Sequence, residues 1–173
     1  MNHILVTQLM ESYTRSRRLS KVNKCWNWLL HDAGISSLSI QEPLLPSPLK
    51  RTLKLDEAST CVYLDAIGRL GTIRMLHSTW KMILKQQNGH ASVNQCTSHL
   101  EALFRLKAWN QAEGFVFGSK DGDDVVSRYG IEINDKFLST FISFYKSVHP
   151  DPTIPLNKFK TKWPGLTIVK DIK

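Results

Sequence analysis

Apolar positions recur along this chain at helical spacing, and the pattern itself repeats. Leu19, Val22, Trp26 and Leu29 return 54 positions later as Ile73, Leu76, Trp80 and Ile83; a further shift of 36 gives Trp109, Ala112 and Val116. Steps of three and four residues put each set on one face of a helix. The segment before each set repeats as well. Met10, Leu64 and Leu100 correspond, as do Tyr13, Ile67 and Leu103, and then Arg15, Arg69 and Arg105. A shift of 42 from the third copy places Ile142 and Tyr145 at matching points of a fourth first half. Self-similarity of this period predicts an all-α stack of helical hairpins, an architecture that usually presents a binding surface.

The punctuation between the periodic segments divides the chain. Residues 1–35 form a first repeat, with helices over 2–15 and 18–31, a turn at Ser16 and Arg17, and Gly34 placed to end the second helix. Pro43, Pro46 and Pro48 with several serines mark 36–55 as a Pro-rich insertion, which accounts for a spacing of 54. A second repeat covers 56–92 and turns at Gly71 and Thr72. The third covers 93–134, with helices over 93–106 and 109–117 and a polar loop over 118–128. Residues 135–147 are the first helix of a fourth repeat, and 148–173 form a capping tail. In that tail Leu156, Phe159 and Trp163 predict a short amphipathic turn over the open end of the stack.

Composition narrows the partners. The chain has 173 residues, a net charge of +8 and a pI near 9.5, a balance that favours polyanions such as nucleic acid, or an acidic protein surface. No apolar run reaches the length of about 18 residues that a transmembrane helix needs, so no membrane span is expected. Cys25, Cys61 and Cys96 are an odd set without a close pair, which argues against a disulfide scaffold or zinc ribbon and for a reducing compartment. Met1 to Val6 reads neither as a secretory signal nor as a transit peptide, and with no polar capping element visible the expectation is a chain that begins inside a longer protein.

Catalytic signals fail in turn. His3, His31, His77, His90, His99 and His149 show no metal-binding helical spacing with a carboxylate between them, and His99 falls at a packing position with Leu9 and Tyr63. The acidic stretch at Asp121, Asp123 and Asp124 lacks the later ligands of a calcium loop. No nucleophile elbow, phosphate loop or paired-cysteine site is present. The expectation is a protein without catalytic residues, cofactor, metal or small-molecule substrate.

Two repeat families have hairpins of this length. The tetratricopeptide pattern wants an early Trp and Leu-Gly with Ala and Pro at set places, and no hairpin here supplies the series. The second repeat reads Thr60-Cys61-Val62-Tyr63-Leu64-Asp65-Ala66-Ile67-Gly68-Arg69-Leu70-Gly71 and continues to Leu76 and Trp80. Gln8 to Leu19 and Ser98 to Arg105 follow the same form, with Ser12, Ala66 and Ala102 as the small residue facing the second helix and Phe144 departing from it. Tyr129-Gly130-Ile131-Glu132-Ile133-Asn134 is similar to a repeat-closing Gly-Ile-Lys-Pro-Asp segment. Over most of residues 2–147 the chain thus resembles the pentatricopeptide repeat family, and the divergent fungal mitochondrial members more than the regular plant ones.

The resemblance implies a right-handed α-solenoid that binds single-stranded RNA, a mitochondrial transcript, in the organelle matrix. The outcome would be mRNA stabilisation, processing or translational activation. Members read about one base per repeat through a side chain early in the first helix and another at the repeat's end. By alignment the first set is Thr7, Cys61, Thr97 and Ser139, and the closing set is Asp56, Ser92 and Asn134. Thr7 with Asp56 is similar to a guanine-reading pair and Thr97 with Asn134 to an adenine-reading pair, while Cys61 with Ser92 matches no common pair. The same residue types also serve as helix caps for backbone reasons. Arg15, Arg69 and Arg105 are read as a ladder for phosphates, or as cations that complement helix C-termini. Trp26 and Trp80 are expected in the core. A scaffold that presents the hairpins to protein subunits of a gene-expression complex is the alternative function.

Overall fold

A computed structural model describes residues 2–35, 55–118, 123–148, 151 and 153–164, and these are helical throughout, with no strand among them. Residues 36–54 of the insertion, part of the polar loop and two of the tail's four prolines, Pro150 and Pro152, lie outside the described residues. Helices α1 (His3–Arg15) and α2 (Leu19–Asp32) form the first hairpin, α3 (Glu57–Leu70) and α4 (Ile73–Gln86) the second, and α5 (Val93–Arg105) and α6 (Trp109–Phe117) the third. α7 (Val125–Tyr129), α8 (Asp135–Lys146) and α9 (Thr153–Lys162) follow. The hairpin helices stand where the periodicity puts them. α7 occupies part of the stretch read as a polar loop: Asp124 caps it through the Ser127 amide, and Val125 and Tyr129, one turn apart, are buried.

First helices are neighbours of first helices. α1 packs on α3, α3 on α5 and α5 on α8, while each also packs on the helix that follows it in its own hairpin, or, for α8, on α9. The repeated apolar stripe of the second helices is buried against the first helices. Val22, Trp26 and Leu29 are buried, as are Leu76, Trp80, Ile83, Ala112 and Val116. Trp26 stacks on Tyr63 with ring centroids 4.2 Å apart, and Trp80 stacks on His99 at 4.3 Å. Tyr63 and His99 are the same register position, so one joint is built twice: a second-helix tryptophan lies flat on a ring of the next first helix. Such stacked pairs add to the area they bury.

The first and third hairpins turn through a left-handed residue, Arg17 (φ 55°) and Lys107 (φ 59°), closed by bonds from the Arg18 amide to the Tyr13 carbonyl and from the Ala108 amide to the Leu103 carbonyl. These are Schellman closures, which glycine usually serves. The equivalent Gly71 turns in extended backbone instead, and Thr72 caps α4 directly. At the other end α9 is a ten-residue helix. Its Phe159 is fully buried against Phe117 and Phe141, and Trp163 packs on Phe117. Lys158 meets Glu113 at 2.8 Å and Lys162 meets Asp124 at 3.0 Å, so the tail is tied to both α6 and the start of α7.

Candidate functional site

The three register-matched arginines end α1, α3 and α5, and the row of first helices brings them to one groove of about 950 Å³. Arg17 and Lys136 join them, against the carboxylates of Glu11, Asp65 and Glu101; five cations face three anions. The carboxylates are themselves in register, each four residues before its arginine, which is the favourable order for a helical ion pair. Arg69 Nε lies 2.8 Å from Asp65, Arg105 lies 3.1 Å from Glu101, and Arg15 lies 3.6 Å from Glu11. Asp65 also binds Arg105 across the helix interface, so one carboxylate holds two arginines of neighbouring helices. Arg15, 82% exposed, is the least engaged of the three. The acidic positions recur at the same shifts of 54 and 36 as the arginines, a signal as legible in the sequence as the cations.

The base-reading candidates are dispersed around this groove. Cys61 lines it. Burial pushes its thiol up, as it does that of Cys25, and Cys96 is pushed up to about 12. Thr7, Thr97 and Ser139 each reach a carbonyl of their own helix: His3 at 2.9 Å, Val93 at 2.7 Å and Lys136 at 3.0 Å. Thr97 is 1% exposed. The closing set Asp56, Ser92 and Asn134 caps α3, α5 and α8, with acceptor distances of 2.7, 3.2 and 2.9 Å to the Ser59, Gln95 and Phe137 amides. Ser92 completes a capping box with Gln95.

Thr7 and Asp56 do meet, through Ser59. Thr7 Oγ1 lies 2.8 Å from Ser59 Oγ, which donates to Asp56 at 2.7 Å. His3 completes the cluster, 2.8 Å from Asp32 and 3.4 Å from Asp56, so it ties the start of α1 to the end of α2 and the start of α3. The hydrogen bond to Asp32, with Asp56 adding to it, holds the His3 imidazole above its ordinary value against the opposing effect of burial. Burial pushes the Asp56 carboxyl up, but the Ser59 amide and hydroxyl together with His3 outweigh it and hold the group low. No hydrogen bond joins Thr97 to Asn134 among the described residues, and none of Thr7, Thr97 and Asn134 lines the arginine groove.

Among the described residues no three His, Cys, Asp or Glu side chains gather as metal ligands, and no helix is long and apolar enough to cross a membrane. Comparison with protein-family patterns, with curated proteins and with solved structures finds no match.

Proposed function

We propose that this chain is part of a right-handed α-solenoid of pentatricopeptide-like hairpins, and that its groove binds single-stranded RNA, a mitochondrial transcript in the matrix. The observation that carries the reading is the convergence of Arg15, Arg69 and Arg105, far apart in sequence, on one groove with Arg17 and Lys136. A strand laid across α1, α3, α5 and α8 would pass these cations in turn, with the surplus of positive charge supplying affinity and orientation. The chain would act by occupancy, shielding the transcript from nucleases or remodelling it for processing or translation.

The test is binding of a fluorescently labelled oligouridylate across a salt series. Replacing Arg15, Arg69 and Arg105 together by Gln should weaken binding and flatten the salt slope by about 2, since each lost phosphate contact on a single strand contributes about 0.7. Crosslinking in cells, followed by sequencing, should recover an enriched transcript.

One observation favours a second reading, a scaffold for a protein partner. Asp65 and Glu101 already engage Arg69 and Arg105, so the groove offers paired charges of both signs, as a peptide of mixed charge would require. Recovery of protein subunits with no enriched transcript, and wild-type protein that ignores oligouridylate, would select it.

A further inference from the structure

The joint between neighbouring first helices changes character along the row. In α3 and α5 it is Gly68 against Ala102: a Cβ built on Gly68 would lie 2.8 Å from the Ala102 Cα, so the two backbones touch. The shifts of 36 and 42 convert this pair into Phe104 and Phe144. Those rings stack, with centroids 5.0 Å apart and planes 9° from parallel. Two phenyl rings thus fill the place where a hydrogen and a methyl group stood one repeat earlier. Beside them, between the C-terminal ends of α5 and α8, a cleft of about 390 Å³ opens, within the range of sites that hold small planar ligands.

The lining of this cleft differs from that of the arginine groove. Trp109 leans on Phe104 at 5.4 Å and is half-buried, as is Phe144, so both present ring surface to the cleft. Arg105 and Lys107 supply charge; no carboxylate lines the cleft itself, while Arg105 is paired with Asp65 and Glu101 on its groove side. Arg105 lines both spaces, so a strand leaving the groove past α5 arrives here. Lys107 holds a left-handed backbone that glycine would adopt without the cost of about 1 kcal/mol, yet the position carries a cation at the cleft's edge.

We propose that this cleft is a stacking site for one unpaired nucleobase of the bound strand, seated against Phe144 and Trp109 with its phosphate on Arg105 and Lys107. The proposal rests on the RNA reading above and deepens it. Ring faces flanked by cations suit a base and its phosphate together, whereas an acidic peptide would use the cations and leave the ring faces idle.

Phe144→Leu and Trp109→Leu keep apolar bulk while removing the ring face, and a thermal melt of each variant establishes folding. Each should lower the affinity for oligouridylate about tenfold, as expected for one stacked base, with an unchanged salt slope. Ultraviolet crosslinking of the unaltered protein to the same oligouridylate, read by peptide mass spectrometry, should mark the peptide carrying Phe144 or Trp109. Wild-type binding with both Leu variants equal to it, and crosslinks confined to other peptides, would overturn the stacking site while leaving the groove reading intact. Wild-type protein that fails to bind oligouridylate at any salt concentration would overturn the groove reading and the stacking site with it.

Discussion

His99 and His3 titrate in opposite senses because their surroundings differ. His99 takes the ring position that Tyr63 fills in the preceding repeat, lies flat on Trp80, and leaves Nδ1 without a hydrogen-bond partner among the described residues. Burial, with a smaller contribution from His77, lowers its pKa to about 3, well below the ordinary imidazole value. A depressed imidazole binds fewer protons folded than unfolded, so its contribution to stability is complete above about pH 6.5 and falls as the pH drops toward 3. His99→Phe keeps the stacked ring and removes the unpaired nitrogen. It should raise stability by about 1 kcal/mol at neutral pH and flatten the loss between pH 6 and 4, measured by urea unfolding across pH. His3 runs the other way: its raised value means a clamp fully present below its unfolded value and lost as pH rises through the folded one. His3→Asn should therefore destabilise the protein at pH 5.5 more than at pH 8.5, and an equal effect at both would mean that the protonated ring contributes nothing. The alignment with Leu9 and Tyr63 had marked His99 as a packing residue. The contacts of His3 join positions 29 and 53 residues away, and no local pattern carries them.

At the scale of elements, the spacing of apolar residues sufficed for the hairpin helices because each buries a full stripe against its neighbour. It failed for α7, a single turn whose two anchors, Val125 and Tyr129, are too few to register as a period beside Asp123 and Asp124. The approach of α3 to α5 was half legible. Ala66 and Ala102 are expected from the alignment as small residues facing the second helix, whereas Ala102 meets Gly68 of the preceding first helix, a contact only the stagger of α3 and α5 reveals. Gly68→Val would press a branched side chain onto backbone atoms. A loss of about 1–3 kcal/mol is expected in chemical denaturation, with little effect from the same change made at Gly114, where an added Cβ meets nothing within 4 Å and valine is no worse a helix former than glycine. Phe144 departs from the small-residue pattern for a reason now visible, since Phe104 has taken the place of Gly68 and a ring is what packs against it.

For the whole molecule, the decisive quantity is how freely the groove's arginines can turn to a ligand. The sequence register was enough to align three cations. It was also enough to pair each with a carboxylate on its own helix, but the bond from Arg105 to Asp65 spans 40 residues and depends on how α5 lies against α3. Asp65 thereby occupies donors on two of the three arginines and places a negative charge at the centre of the path proposed for the strand. A phosphate entering between Arg69 and Arg105 must displace this carboxylate or sit beside it, and either event costs affinity. Asp65→Asn keeps the size and a hydrogen-bonding oxygen while removing the charge. If the groove receives a polyanion, the variant should bind oligouridylate several-fold more tightly and with a steeper salt slope, because two guanidiniums then meet phosphate instead of an internal anion. If the groove receives a protein segment of mixed charge, the same change removes one of its acidic contacts: binding of that partner weakens, and oligouridylate gains nothing. Salt titrations on wild type and Asp65→Asn side by side therefore separate the two functions through a carboxylate that holds two of the groove's arginines.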